Sequence, residues 1–225
     1  RQAGVRYHLV GGQSFFDRAE IKDLCAWFRL WINNDDDPAF LRAITTPKRG
    51  IGTSTLEKLG NYAAERHVSL FAAAFEAGME HQLGPKQYHP LMEFCNFINN
   101  LSLRAERENC STIMADLLNA IGYESYLFDQ EEARSAQNKW NNVQEFVGWI
   151  SKKGEADGKT VIELTQTIAL INILDSREDQ DVDAVRLSTL HAAKGLEYPH
   201  VFLVGVEEGI LPHRESVDNS QIEEE

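Results

Sequence analysis

With 225 residues, 43% hydrophobic and 25% charged, the chain has the make-up of globular protein and the length for one large domain or two small ones. No segment approaches the roughly 18 consecutive apolar residues of a membrane span, and no signal-peptide pattern is present, so a soluble, cytoplasmic protein is expected. A net charge of −13 argues against general adhesion to a polyanion, but nine Lys/Arg stand against seven Asp/Glu in residues 1–60 and 13 against 28 in the rest, a balance that suits an acidic body gripping phosphate at a few basic loops.

Val5, Tyr7 and Leu9 alternate with Arg6 and His8, which predicts a short strand closed by Gly11 and Gly12. Asp17 and Glu20 have capping-box spacing for a helix whose Ile21, Leu24, Phe28, Trp31 and Ile32 share one face, and Asn33–Asp37 breaks it. Arg18 and Lys22 fall on its polar side, where a solvated face and a DNA-facing role are equally open. Pro38, behind Asp37, opens a second short helix through Ile44. The stretch TPKRGIG, 46–52, then makes a tight turn, and Thr53 is placed to cap a helix carrying Leu56, Leu59 and Ala63. Gly50 and Gly52 around Ile51 let backbone approach a phosphate at a helix N-terminus, with Lys48 and Arg49 supplying charge; a plain helix–helix turn explains the same residues.

From Ser69 to about Ile173 the sequence reads as helices and loops only. Leu91, Phe94, Cys95, Ile98 and Leu101 form one stripe, and Ile113, Leu117 and Ile121 a second, ended by Gly122 as C-cap. Trp140, Val143, Val147 and Ile150 form a third, and Thr160 with Glu163 repeats the capping-box spacing before Leu164, Ile168 and Ile171. These stripes are expected to be core, and the polar stretches 151–159 and 176–184 surface loops. Cys25, Cys95 and Cys110 are odd in number and lack any CxxC spacing, which fits reduced, buried thiols.

Strand character returns at Val185–Thr189, where Val185, Leu187 and Thr189 alternate with Arg186 and Ser188, as in a half-buried strand. A polar loop, His191–Glu197, leads to Val201–Val206, an unbroken apolar run that suits a strand covered on both faces of a parallel sheet. Functional groups on a loop leaving a buried strand sit where open α/β sheets hold their ligands.

The segment TLHAAKGLE, 189–197, resembles motif V of the superfamily 1 DNA helicases of the UvrD/PcrA/Rep group, and VFLVGVEEGILPH, 201–213, is similar to the stretch immediately downstream of that motif in the group. GGQSFFDRAEIKD, 11–23, and TPKRGIG, 46–52, resemble two further segments of the same family in the family's order, and the tail 215–225 is closer to the Rep branch than to the UvrD branch. Ala193 and Tyr198 depart mildly from the family's frequent Ser and Phe.

The resemblance implies a mostly α protein with a small α/β part, a helical 2B-like domain inserted into an incomplete RecA-like 2A domain. Residues 1–81 and 182–225 would form the 2A-like part and 82–181 the 2B-like insertion. It implies that Thr189 and His191 lie on single-stranded DNA and that Glu197 reaches the nucleotide, with Lys194 and Gly195 beside it. The turn Lys48, Arg49, Gly50, Ile51, Gly52 and Thr53 would contact duplex, with Arg18 a further DNA-facing residue. The activity implied is ATP-dependent 3′–5′ DNA unwinding in replication or restart, using ATP and Mg2+, on single-stranded and forked DNA, with replication proteins such as the replicative helicase as partners.

No GxxxxGK[ST] occurs, Lys194-Gly195 is in the reverse order, and neither an HExxH nor a zinc-ligand cluster is present; His67, His81, His89, His200 and His213 are scattered. An opening Arg, a closing acidic run and the missing motif VI lead to the expectation of a fragment that hydrolyses nothing alone and self-associates through exposed apolar edges. A UvrD- or PcrA-type repair helicase, or a non-catalytic helical module that binds DNA or protein, are the other readings the residues leave open.

Overall fold

The computed structural model describes residues 5–10, 15–168 and 184–207. Its described residues are mostly helical with a small α/β part. Strand β1, Tyr7–Val10, pairs in parallel with β2, Val185–Ser188, in the register Tyr7 to Val185 and Val10 to Ser188. Parallel strands need a crossover between them. Here the helices lie between the two strands in sequence: α1 Ala19–Ile32, α2 Asp37–Thr45, α3 Thr53–Arg66, α4 Leu70–Ala74, α5 Ala77–Leu83, α6 Pro85–Ala105, α7 Cys110–Ile121, α8 Tyr123–Gln130, α9 Ala133–Asp157 and α10 over 161–168.

Two compact units result, residues 13–180 and residues 1–12 with 181–225. Within the first unit, α1 and α2 share their aromatic core with later helices. Trp27 of α1 packs edge-on against Phe94 and Phe97 of α6, each at 5.6 Å, and Phe40 of α2 meets Phe94 at 5.3 Å. Phe28 of α1 lies 5.9 Å from Phe146 of α9. Ring pairs of this kind add roughly 0.5–1.5 kcal/mol each to the burial of their surface, enough to hold α1 to α6 and α9 as one body.

The expected stripes are core: Leu91, Phe94, Cys95, Ile98 and Leu101 are buried, as are Ile113, Leu117, Ile121, Val143 and Ile150. Gly122 ends α7 in the left-handed conformation at φ 61°, and Thr160 and Glu163 form the reciprocal cap, with Thr160 N–H donating to Glu163 Oε2 at 2.8 Å and Glu163 N–H to Thr160 Oγ1 at 3.4 Å.

Five local expectations are corrected. Asp17 does not cap α1; it lies in a 3-10 turn, Phe15–Asp17, and pairs with Lys22 at 2.8 Å, while Arg18 holds the cap position without a side-chain bond. Ile32 is exposed, because the helix ends there and its face turns out of the core. Asp36, one residue earlier than expected, caps α2 by accepting from Ala39 N–H at 3.1 Å. Gly52 rather than Thr53 is the N-cap of α3. Residues 151–157 continue α9 instead of looping, held by Gly154 packed on Cys110 and by Lys159 N–H on Gly154 O at 2.9 Å. Ile171 and the stretch 176–183 lie outside the described residues.

Candidate nucleic-acid interface

The loop after β2 is built by local hydrogen bonds. Thr189 stands in extended backbone, and its Oγ1 accepts from Ala192 N–H at 3.2 Å to open the single-turn helix α11, Leu190–Ala193. That leaves the hydroxyl proton free to donate outward, since a hydroxyl accepts and donates at once. Lys194 N–H then donates to His191 O at 3.3 Å, and Leu196 N–H to Ala193 O at 2.9 Å. Gly195 makes the reversal at φ 85°, a conformation that side chains resist.

Thr189, His191, Lys194, Gly195 and Glu197 are all exposed along this bend. The loop's two ends are tied together by Arg186 of β2, whose guanidinium lies 5.9 Å from the Tyr198 ring. A hydroxyl, an imidazole, an ammonium and a carboxylate are thus presented within nine residues on one tightened turn. Such a set can hydrogen-bond phosphate and sugar hydroxyls, and is poor for covalent chemistry.

Two expectations near this loop are corrected. Val185 and Leu187 are 51% and 46% exposed, so β2 has no buried face among the described residues. Val201–Val206 is not a strand there, and Phe202 is 89% exposed. A strand needs a partner for its backbone N–H and C=O groups, and the pairing seen among the described residues is between β1 and β2 alone. Residues 208–225, with the family-like tail, lie outside the described residues.

The turn 46–53 joins α2 to α3. Pro47 is buried, Ile51 packs against the core, and Lys48, Gly50, Gly52 and Thr53 are exposed. Gly50 takes φ 73°, and a Cβ added at Gly50 or Gly52 would meet nothing within 4 Å, so the backbone there is open to an incoming group. The first turn of α3 carries no acidic residue, which leaves its N–H groups unopposed. Arg49 is different: it turns inward, with its guanidinium 5.0 Å from the Trp27 ring and 5.5 Å from Phe94. Burial pulls its pKa down to about 10.

Arg18 is also engaged within the helical unit. Its Nη1 donates to Asn142 Oδ1 of α9, Asn142 Nδ2 donates to Glu20 Oε1 at 2.7 Å, and the guanidinium lies 5.1 Å from the Phe15 ring. Of the basic residues proposed from the sequence at the turn and on α1, the structure leaves Lys48 exposed and binds Arg49 and Arg18 into packing. The stretch GEADGKT, 154–160, falls one residue short of the phosphate-loop spacing. Its setting is wrong for phosphate: it ends helix α9 and is pinned by buried Gly154, whereas a phosphate loop comes after a strand. Among the described residues no cluster of three or more His, Cys, Asp or Glu could hold a metal ion, and no helix is long and apolar enough to cross a membrane.

The chain matches the family model of the UvrD-like helicase C-terminal domain over residues 1–225. It is 41% identical over 230 residues to the ATP-dependent DNA helicase Rep of Salmonella typhimurium strain LT2, covering all of this chain and 34% of that protein. It is 40% identical over 230 residues to Rep of Escherichia coli K12, at the same coverage of both chains. To the ATP-dependent DNA helicase PcrA of Bacillus subtilis strain 168 it is 38% identical over 232 residues, covering all of this chain and 31% of that protein. The chain therefore spans about a third of the length of the curated relatives it matches. A match to the family model along the whole chain, with relatives about 40% identical over all of it, makes this chain a member of the UvrD-like helicase C-terminal domain family.

Proposed function

We propose that the chain works within an ATP-dependent DNA helicase of the Rep type, as its inserted helical 2B-like part and a portion of its 2A-like part. The helicase translocates 3′ to 5′ on single strands and separates duplex at replication forks, with single-stranded and forked DNA as substrates and replication proteins, the replicative helicase among them, as partners. The carrying observation is the turn 189–197, which exposes Thr189, His191, Lys194, Gly195 and Glu197 within nine residues.

In this reading Thr189 Oγ1–H and the His191 imidazole hydrogen-bond or stack on single-stranded DNA. Glu197 accepts from a nucleotide hydroxyl, Lys194 neutralises a phosphate, and Gly195 keeps the approach clear. These groups fit one edge of ATP. The nucleotide would supply the phosphoryl transfer, which needs a phosphate loop that these 225 residues do not contain. A donor set for Mg2+ is not found among the described residues. Because one short bend faces both ligands, a shift at the nucleotide end alters the grip on DNA, the coupling that translocation requires. Lys48 and the Gly50–Thr53 backbone would hold duplex phosphates, with Arg49 and Arg18 holding the elements that present them.

The test is Glu197→Ala in the full-length helicase. DNA-stimulated ATP hydrolysis falls by about 10-fold or more while single-strand affinity stays within about twofold. Unchanged DNA-stimulated hydrolysis removes Glu197 from the nucleotide site.

A further inference from the structure

Within the helical unit, residues 13–180, three phenylalanines and a tryptophan gather where α9 meets the 3-10 turn Phe15–Asp17. Phe16 lies 5.8 Å from Phe15 and 6.0 Å from Phe146, at 89° and 85°, so the rings form a corner rather than a stack. With Trp149 they wall a cavity of about 220 Å³, and the fifth lining residue, Glu145, is its one ionisable group. Phe146 is 1% exposed, Phe15, Phe16 and Trp149 are half-buried, and Glu145 is exposed. The aromatic surface is therefore the deep part of the cavity, and the carboxylate is reached by water.

Glu145 stands apart from the other glutamates near it in the fold. Glu20, Glu131 and Glu163 each accept from a protein donor, whereas Glu145 has no hydrogen bond or ion pair among the described residues. Its own helix offers it no cation: the run NNVQEFVGW, 141–149, holds no Lys, Arg or His at the positions three or four away. Arg18 lies 5.1 Å from the Phe15 ring, but it does not line the cavity and is bound to Asn142 Oδ1. Ring faces attract a cation through their quadrupole and Glu145 attracts it through its charge, in a chain that carries −13 overall. The same charges repel a phosphate. The volume lies below the roughly 300 Å³ at which drug-sized pockets begin and suits a single long side chain.

We propose that this cavity docks an arginine side chain of a partner protein, its guanidinium donating to the Glu145 carboxylate while its plane and stem lie against Trp149 and the phenylalanine rings. A guanidinium is flat, weakly hydrated and always charged, so it stacks on aromatic faces and meets a carboxylate with two parallel bonds. The site shares no residue with the turn 189–197 and does not depend on the helicase reading.

The probe is the capped tripeptide acetyl-Gly-Arg-Gly-amide, titrated into the isotopically labelled 225-residue chain while the indole N–H signal of Trp149 is followed by magnetic resonance. The signal should shift saturably, with a dissociation constant on the order of 1 mM for so small a ligand. The citrulline tripeptide, of nearly the same shape but neutral, should bind at least about 10-fold more weakly. The lysine tripeptide, which keeps the charge but lacks the fork, should also be weaker than the arginine one. Glu145→Gln, at an exposed position, should bring the arginine tripeptide down to the level of citrulline. Equal binding of the arginine and citrulline tripeptides overturns the proposal, as does equal binding of the arginine and lysine ones or the absence of a saturable shift. Unaltered arginine binding in Glu145→Gln overturns it too. Tighter binding of the phenylalanine tripeptide would show an apolar occupant instead. The peptide comparisons on the unsubstituted chain decide by themselves should the variant not fold.

Discussion

The Tyr123 hydroxyl donates to Asp23 Oδ2 at 2.6 Å across 100 residues of sequence, and it does so in the interior. Asp23 takes its second bond from Arg42 Nε at 2.7 Å, so one carboxylate joins α1, α2 and α8. Burial first, then the charge of Asp23, pushes the Tyr123 hydroxyl well above its ordinary pKa, so it stays a donor. Tyr123→Phe removes one bond to a charged acceptor and leaves the carboxylate short of a partner. The expected cost is about 1.5–3 kcal/mol, read as a lower urea midpoint with unchanged slope. An unaltered midpoint would show that Arg42 alone satisfies Asp23.

Two glycines in α9 should respond oppositely to alanine. At Gly148 an added Cβ meets nothing within 4 Å, so Gly148→Ala gains helix propensity and should stabilise by about 0.5–1 kcal/mol. At Gly154 the same Cβ collides with Cys110 Sγ and lies 3.0 Å from Lys159 O, where backbone turns toward α10. Gly154→Ala should destabilise by about 1–3 kcal/mol, the range for overpacking a tight contact. Thermal unfolding of the two variants beside the parent chain checks the sign of each; a stable Gly154→Ala would mean that α7 and α9 can separate at no cost.

The acid response arises from three surface carboxylates. Glu108 is held below the usual range by its hydrogen bonds from Arg104, Glu131 by Lys139 and then Ser135, and Asp157 by Lys153. A carboxyl with a depressed folded pKa binds fewer protons folded than unfolded near that pH. Its contribution is complete above the unfolded value and is lost as pH falls through the folded one. Melting temperature should therefore drop below about pH 4.3, the ordinary glutamate value, and continue downward on acidification. These pairs are exposed, so the slope should shrink in 1 M salt and in Glu108→Gln. A melting temperature that rises on acidification would contradict the assignment.

What the sequence revealed, and what it hid, divides along physical lines. Apolar spacing located the buried faces of α6 and α7 because a helix of 3.6 residues per turn must repeat them, and Gly122 and the Thr160–Glu163 cap were readable because their chemistry is local. Phe146, between the spaced positions of α9, and Trp27 of α1 were not named, since their value lies in rings supplied by distant helices. The same blindness affected the candidate site. Lys48 and Arg49 are adjacent and chemically alike in sequence, and only the partners waiting on α1 and α6 decide that one faces water and the other an indole. Thr189 was named for its hydroxyl, and its capping bond to Ala192 became visible only with the turn built.

Apolar exposure should make the chain associate. Val201, Phe202, Leu203, Val204 and Val206 are 54–89% exposed in succession, and Leu187, Leu190 and Leu196 add to them within the same compact unit. Water leaves such surface at about 25 cal/mol per Å², and a monomer rarely keeps so contiguous a run bare. Among the described residues the backbone of 201–204 belongs to no strand, and it offers N–H and C=O groups to a second one. The 225-residue chain should therefore show a mass above 25.5 kDa by light scattering that climbs with concentration. Phe202→Asp with Val204→Lys, which places charge at the two most exposed positions of the segment, should return the mass to that of one chain without altering the helical signal of α1–α9. A single-chain mass for the unsubstituted protein at high concentration would show that this apolar run finds its cover within its own chain.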